Sequence, residues 1–394
     1  MITKEDVAVY TKVFLYLVLF FSIARCIFNL YVVFANSGYI DFQIYHIFTS
    51  IVAKGVNPFD PQIHVILGGA QQAPNYPPLF FILMRPAILA PLESASLVWL
   101  VLNQIFTFGS FALILRLTAT KLTLASITLI VFAMANFYPL HDTNWLGQMN
   151  TLILFLLTLS LVLFKKKHIL LAAIIVALVV HTKIQFALFL PVFFLVGYKR
   201  LALNTTFFTL IGWVISYLVL GREHNMAYLQ YILHFPKELL NWPANISIVA
   251  NISRFFDNDF VANILTVVVF LLLIILFLKI LPWKATHSQA GWVWYITIVA
   301  VLIFSPLLEI HHFTVALLPI FLLAFSNKKE LVSKKFYAVI LAISVFMLGN
   351  LYYVSPDPVN VHGIMTLPLA VRLLGLFGLI WLFPRNAMVK SIKK

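Results

Sequence analysis

Asp41, in the run Ser37-Gly38-Tyr39-Ile40-Asp41-Phe42, places a carboxylate just past the end of a long apolar stretch. Such a group serves either as an ordinary helix cap or as a general base. Four other runs carry comparable chemistry. In His141-Asp142-Thr143-Asn144-Trp145-Leu146-Gly147-Gln148-Met149-Asn150, Gln148 and Asn150 stand where an apolar run resumes; polar groups there line a cavity or pair with each other. His141 and Asp142 have no second pair at ligand spacing, so no metal is expected. Lys183, in His181-Thr182-Lys183, reads as a snorkelling anchor or as an anion contact. Asn245-Ile246-Ser247 and Asn251-Ile252-Ser253-Arg254 both fit the N-glycosylation pattern, and Arg254 is a fork-shaped candidate for phosphate. Last comes Ser305-Pro306-Leu307-Leu308-Glu309-Ile310-His311-His312. Adjacent histidines on an α-helix diverge by about 100°, a poor chelating pair, so anion binding or hydrogen bonding to a polar substrate suits His311 and His312 better. Asn57-Pro58-Phe59-Asp60 and Asn75-Tyr76-Pro77-Pro78 are turn formers. Tyr76 either stacks on a sugar ring or belongs to an interfacial aromatic belt.

The elements that must position these groups are membrane helices. Of the 394 residues, 62% are hydrophobic and 10% charged, with a mean hydropathy of +0.99. A soluble domain carries about 25% charged residues and could not hide so much apolar surface. The apolar runs are continuous, without the alternation of a barrel strand, so they are expected to be helices. They lie at 13–35, 97–117, 123–140, 149–164, 168–180, 184–197, 203–220, 260–281, 291–308, 313–325, 336–354 and 363–383. The fold class that follows is an all-α polytopic bundle of about twelve transmembrane helices, one integral membrane domain over 1–394. The start is too polar, and the run after it too long, for a cleaved signal peptide, so that run is read as the first anchor. The stretch 79–92 holds Arg85, Pro86 and Pro91 and reads as re-entrant or interfacial. Cys26, the single cysteine, has no intramolecular partner.

A formal charge of +14 invites a nucleic-acid reading, but the basic residues sit in short clusters between apolar runs. With the N-terminus inside, 19 of the 27 Lys and Arg face the cytoplasm, as the positive-inside rule requires. Both termini are then cytoplasmic, in a protein expected in the plasma (cell inner) membrane. Ten of the 13 acidic residues and nine of the 11 histidines fall on the other side. Two long extracytoplasmic segments, 36–78 and 221–259, carry much of that chemistry. Residues 41–53 place Ile44, Ile47, Phe48 and Ile51 at helical spacing, which suits an amphipathic helix in the interface. Arg25 and Arg372 lie within spans, where they pair across helices or reach a lipid phosphate.

Together these motifs resemble glycosyltransferase family 87, the polyprenol-phosphate-mannose-dependent mannosyltransferases of the GT-C superfamily. Four features carry the resemblance. Asp41 is followed by Gly55-Val56-Asn57-Pro58-Phe59 and Tyr76-Pro77-Pro78, and Gly147-Gln148-Met149-Asn150 opens an apolar span. Asn245-Ile246-Ser247 precedes Arg254, and Ser305-Pro306 precedes His311-His312. Where the family pattern carries Ser-Trp before its histidines, this chain has Leu308-Glu309.

The resemblance implies an inverting cell-envelope hexosyltransferase that moves a sugar, mannose being expected, from a polyprenyl-phosphate donor to a glycolipid or glycan hydroxyl on the extracytoplasmic face. An acceptor hydroxyl needs a general base. A phosphate leaving group is already a stable anion, so one carboxylate suffices where a glycosidase needs two. Asp41 becomes the expected base, with Glu309 the runner-up. Lys183, Arg254, His311 and His312 become the expected phosphate contacts, and Tyr76, Gln148, Asn150 and Asn245 the other substrate-binding candidates. The partners are the lipid-linked donor, the acceptor and membrane lipid, with no nucleic acid, no metal and no other cofactor. A flippase of lipid-linked sugars, a polysaccharide polymerase or ligase, and a non-catalytic assembly protein are the alternative classes.

Overall fold

The structure, a computed structural model, describes residues 4–36, 39–60, 75–233, 240, 242, 244–256, 258–325, 334–349 and 367–382. Parts of the segments 36–78 and 221–259, the ends of the last two expected spans, and both termini lie outside the described residues. Every regular element among the described residues is helical. The α-helices are α1 (Lys4–Asn36), α2 (Ile40–Ala53), α3 (Pro78–Leu83), α4 (Leu92–Thr118), α5 (Leu124–Asn136), α6 (Tyr138–Leu146), α7 (Asn150–Lys165) and α8 (Ile169–Thr182). After them come α9 (Phe189–Leu195), α10 (Lys199–Leu233), α11 (Ile248–Phe255), α12 (Asp259–Ile280), α13 (Ala290–Phe304), α14 (Leu317–Ala324), α15 (Lys334–Gly349) and α16 (Leu367–Leu382). Short 3-10 helices cover Arg85–Leu89, Ile184–Leu188, His287–Gln289 and Ile310–Ala316.

Five helical segments are long and apolar enough to cross a membrane, namely those of α1, α4, α10, α12 and His287–Phe304. The chain is therefore a helical membrane protein. The bent pair α5 and α6 would make a sixth crossing. The other apolar helices are shorter: α7, at 16 residues, spans roughly 24 Å at 1.5 Å per residue, against a hydrocarbon core of about 30 Å. Among the described residues five or six of the expected dozen crossings meet the length a bilayer demands. Residues 79–92 form α3 and a five-residue 3-10 helix, and neither can cross.

Two expected elements end differently from the hydropathy pattern. The run 123–140 does not form one straight helix. Pro139 sits in the first turn of α6, where its missing N–H is tolerated but cannot continue α5, and the axis bends by 54°. The run 203–220 continues past Gly221, whose φ of 82° kinks α10 before it resumes to Leu233.

The core is built on α7, α8 and α13. Ala172, Ala173, Val176 and Ala177 of α8 and Ile153, Leu154, Leu157 and Leu161 of α7 are all buried, and small residues let membrane helices approach closely. Nearly every residue of α13 is buried, with Trp294 donating to Ser160 Oγ at 2.9 Å. By contrast α1 and α12 are exposed along most of their length, as lipid-facing helices are.

The amphipathic helix expected at 41–53 is present as α2, but its buried face is Phe42, Tyr45, Phe48, Thr49 and Val52. Ile44 and Ile51 pack only along its margin. Beyond α2, His224 Nε2 contacts the Val56 carbonyl at 3.1 Å, and Phe59 packs against Phe81, Tyr228 and Tyr231. Residues 56–59 are thereby seated on the second half of α10.

Candidate active site

Asp41 lies in the first turn of α2 but does not cap it. The capping position is Tyr39, in the left-handed region at φ 44°, with no side-chain cap. The Asp41 carboxylate instead accepts a hydrogen bond from Gln148 Nε2 at 2.6 Å. Gln148 follows Gly147, which ends α6 at φ +71°. A Cβ on Gly147 would lie 2.8 Å from Phe42 Cβ, so the start of α2 rests on bare backbone there. Trp99 fastens the same spot. Its Nε1 donates to the Gly147 carbonyl at 2.8 Å, and its ring stacks on Phe42 with centroids 5.6 Å apart.

Opposite Asp41 stands a cluster from two further chain breaks. At the end of α8 the backbone turns extended at Lys183, which buries this lysine with Glu309 and Asp41 as its nearby carboxylates. Pro306 separates α13 from the 3-10 helix Ile310–Ala316, which carries His311 and His312. His311 Nε2 is 3.2 Å from Glu309 Oε2, and its Nδ1 is 3.5 Å from Asp142 Oδ2. The Glu309 backbone N–H donates to His312 Nδ1 at 2.8 Å, and Trp242 Nε1 donates to Glu309 Oε1 at 3.1 Å. Thr143 and Thr314 hydroxyls pair at 2.8 Å, and both reach the Pro139 carbonyl. This fixes α6, and with it Asp142, against the histidines.

These surroundings set the charges. Burial pushes the Asp41 carboxyl up, and Glu309 adds to that; His311, Gln148 and Lys183 act against it. Burial would also raise Glu309, but the hydrogen bond and charge of His311, with Lys183 and Trp242, bring it below its ordinary value. Burial opposes charge on His311, yet Asp142 and Glu309 outweigh it and push its pKa up to about 9. Burial, followed by the charges of Lys183 and His311, holds His312 well below the usual range. Burial lowers Lys183 to about 7 against the pull of Glu309 and Asp41.

Glu309, His311 and His312 each bring a metal-capable atom within 4.8 Å of the others. Their protonation suits a different task. His312 Nδ1 uses its lone pair on the Glu309 N–H, so its proton sits on Nε2, which donates. His311 is an imidazolium whose two N–H groups face carboxylates. With His311 protonated the two histidines present hydrogen-bond donors beside the Glu309 carboxylate, and a metal ion would have to displace those protons to bind.

Asn245 and Arg254, expected to touch substrate, are built into the loop behind Glu309. Asn245 Oδ1 accepts the Ser247 and Leu308 N–H groups at 3.0 and 3.1 Å, and its Nδ2 donates to the Pro306 carbonyl at 3.0 Å. Ser247 Oγ donates to the same carbonyl and caps α11 by accepting from Ala250 N–H. Arg254 donates to the carbonyls of Trp242 and Asn245, so this end of its guanidinium braces the loop and does not reach into the cluster as a phosphate ligand would. Asn245 is fully buried, which removes it as a glycosylation acceptor. Asn245→Ala is expected to lower the unfolding free energy by roughly 2–4 kcal/mol, because the buried Ser247 and Leu308 N–H groups lose their partner while the Pro306 carbonyl keeps Ser247 Oγ; thermal melting of the purified protein measures this.

Of the remaining candidates, Tyr76 is buried, and one face of its ring is taken by Phe80 with centroids 4.3 Å apart. That argues against a sugar platform. Its hydroxyl lies 3.3 Å from Gln148 Oε1. Asn150 opens α7 fully buried, with Nδ2 unpaired. Arg372 is buried within electrostatic reach of Asp142 and Tyr138, whereas Arg25 is exposed on α1. Tyr45, Trp99, Trp242 and Thr314 complete the site without a signal in their own residue types. Asp142 was visible only as one half of a metal-like pair.

Residues 75–306 match the family model described as Glycosyltransferase family 87. No curated protein and no solved structure is significantly similar to the chain.

Proposed function

The chain belongs to glycosyltransferase family 87, and from that membership we propose that it transfers a hexose, mannose by expectation, from a polyprenyl-phosphate donor to an acceptor hydroxyl at the extracytoplasmic face. The observation that carries this reading is a partly exposed Asp41 gathered with two buried cations, Lys183 and His311, in one cluster. The acceptor oxygen attacks the anomeric carbon, the bond from that carbon to the phosphate oxygen breaks, and the acceptor proton passes to Asp41. Attack opposite the leaving group inverts the anomeric centre. Burial tunes Asp41 upward, as suits a base working near neutral pH. Glu309 is the weaker candidate, since His311 and Trp242 already occupy its oxygens.

The departing phosphate meets the Lys183 ammonium, the Nε2–H of His312 and the positive charge of His311, whose own N–H groups face Asp142 and Glu309. Such preorganised charge in a water-poor site is worth far more than in bulk water. A donor with a single phosphate brings its negative charge to Lys183 and the histidines, whose positive charge the neighbouring carboxylates of Asp41, Glu309 and Asp142 partly offset.

Donor affinity should follow the charge on Lys183. Its ammonium is present below a pKa of about 7 and is lost as pH rises through it. KM for donor is therefore expected to increase above neutrality, and Lys183→Met should flatten that dependence. A pH series of initial rates at varied donor concentration measures both effects.

The function itself is tested by incubating the purified protein with radiolabelled polyprenyl-phosphate-mannose and a lipid and glycan extract of the host membranes. Label appearing in an acceptor supports the transferase. Movement of label across a liposome bilayer without transfer would overturn it in favour of a flippase.

A further inference from the structure

Asp41 is held by one hydrogen bond whose donor is itself held by two tyrosines. Tyr45 O–H donates to Gln148 Oε1 at 2.7 Å, and Tyr76 O–H lies 2.7 Å from the Tyr45 oxygen and 3.3 Å from the same Oε1. Each phenol has one proton. Every arrangement that uses both protons ends on Gln148 Oε1, reached from Tyr45 at 2.7 Å or from Tyr76 at 3.3 Å, and continues from Gln148 Nε2 to the Asp41 carboxylate at 2.6 Å. A flipped amide would set its oxygen against an ionised carboxylate that only accepts, while the phenol protons lost their acceptor.

The chain is rigid. Tyr45 lies four residues after Asp41 on α2, hence on the same helix face. Its ring meets Tyr76 and Phe80 edge-on at 5.0 and 5.3 Å, and Tyr76 is stacked on Phe80. Burial raises both phenols well above their ordinary range, so they stay protonated wherever the protein works.

We infer that Tyr45 and Tyr76 are positioning residues that act through the Gln148 amide, fixing it as an obligate donor to Asp41 and so setting both the direction and the basicity of that carboxylate. The inference rests on the reading of Asp41 as general base. It assigns Gln148 to the enzyme's own base, not to the sugar, and it gives Tyr45 a part in the chemistry through an intervening amide. Hydrogen bonds in such chains polarise one another. The other groups facing Asp41 are His311 and Lys183, which favour its charge, and Glu309, which opposes it. Those three come from other elements and are left intact by changes at Tyr45, Tyr76 or Gln148.

The test is pH-difference infrared spectroscopy of the full chain in lipid nanodiscs, with Asp41→Asn used to assign the Asp41 carboxyl band. Gln148→Leu is expected to raise the pH at which Asp41 protonates by about one to two units, the equivalent of one hydrogen bond to a charged group. Tyr45→Phe/Tyr76→Phe should move it the same way by about one unit. A midpoint unchanged from wild type in the double variant, with Gln148→Leu shifted, would overturn the role of the tyrosines; no shift in either would overturn the whole chain. Should the double variant not fold, Tyr45→Phe alone supports the inference with a shift of about half a unit and overturns it with none.

A kinetic arm separates this inference from the reading beneath it. With radiolabelled polyprenyl-phosphate-mannose and the host extract, the acid limb of kcat/KM should move by the same amount as the infrared midpoint, with donor KM within about twofold. If Asp41→Asn transfers sugar at the wild-type rate while the infrared shifts persist, the base reading fails and the hydrogen-bond chain stands. If Asp41→Asn is inactive and the limb does not move, the chain fails alone.

Discussion

Asp41→Asn is expected to lower sugar transfer by roughly 100- to 10,000-fold, the usual contribution of general-base catalysis, while the melting temperature and membrane insertion stay close to wild type. The structure gives reasons for both halves of that expectation. Asparagine keeps an oxygen that accepts the Gln148 N–H now donated to Asp41 at 2.6 Å, and Asp41 does not cap α2, so no helix end depends on its charge. What is lost is the ability to receive a proton. Glu309→Gln should behave differently. It removes one carboxylate from an imidazolium that also faces Asp142, so His311 gives up its proton more readily and donor KM rises before kcat falls. Rates of label transfer for the two variants, at saturating and limiting donor, decide between them. A larger loss of kcat in Glu309→Gln than in Asp41→Asn would move the base to Glu309.

The second large effect is expected at a residue with no chemistry of its own. Gly147→Ala places a Cβ 2.8 Å from Phe42 Cβ, at a residue whose φ is +71°. Backbone strain of this kind costs about 1–2 kcal/mol. The collision adds a displacement of the first turn of α2, which carries Asp41. Misplacing a catalytic group by about 1 Å costs on the order of 100-fold, so a loss of kcat of at least that size is expected, together with a lower melting temperature. Gly55 supplies the control. It has φ +79° but open space around its missing Cβ. Gly55→Ala should therefore show the strain alone, a small drop in stability with turnover near wild type. Similar activity in the two variants would mean that α2 tolerates movement at Asp41.

The placement of helices was legible from hydropathy, because in lipid a continuous apolar run has one way to satisfy its backbone. Boundaries were less so. The run 123–140 reads as one span because apolar residues continue past Pro139, yet the backbone obeys the proline. The helical spacing at 41–53 identified α2, but of the residues that carried it only Phe48 is fully buried; Phe42 and Tyr45, outside that pattern, complete the buried face. Asp41, Lys183, Glu309, His311 and His312 were legible because charged and imidazole groups at the edge of an apolar run are costly to keep there. Asn245 carries the same signal while satisfying backbone groups of a loop end some 60 residues away, and Arg254 while bracing the carbonyls of Trp242 and Asn245; no local pattern reveals either. Tyr45 was invisible for the opposite cause, since a tyrosine on an amphipathic helix looks like membrane-interface filler until its hydroxyl is seen on Gln148.

The shortness of the central helices sets the topography of catalysis. α7 and α8, at 16 and 14 residues, abut the site at one end each, while α1 at the rim runs for 33. At 1.5 Å per residue the inner pair is roughly 21–24 Å long and the rim helix roughly 50 Å. The inner pair falls short of a hydrocarbon layer about 30 Å thick, a mismatch that thins the bilayer or draws polar groups below its usual surface. In a bilayer of that thickness the site at the ends of α7 and α8 would lie below the headgroup plane, and the donor proposed above would bring its phosphate to Lys183 from within the membrane while a water-borne competitor approached from above.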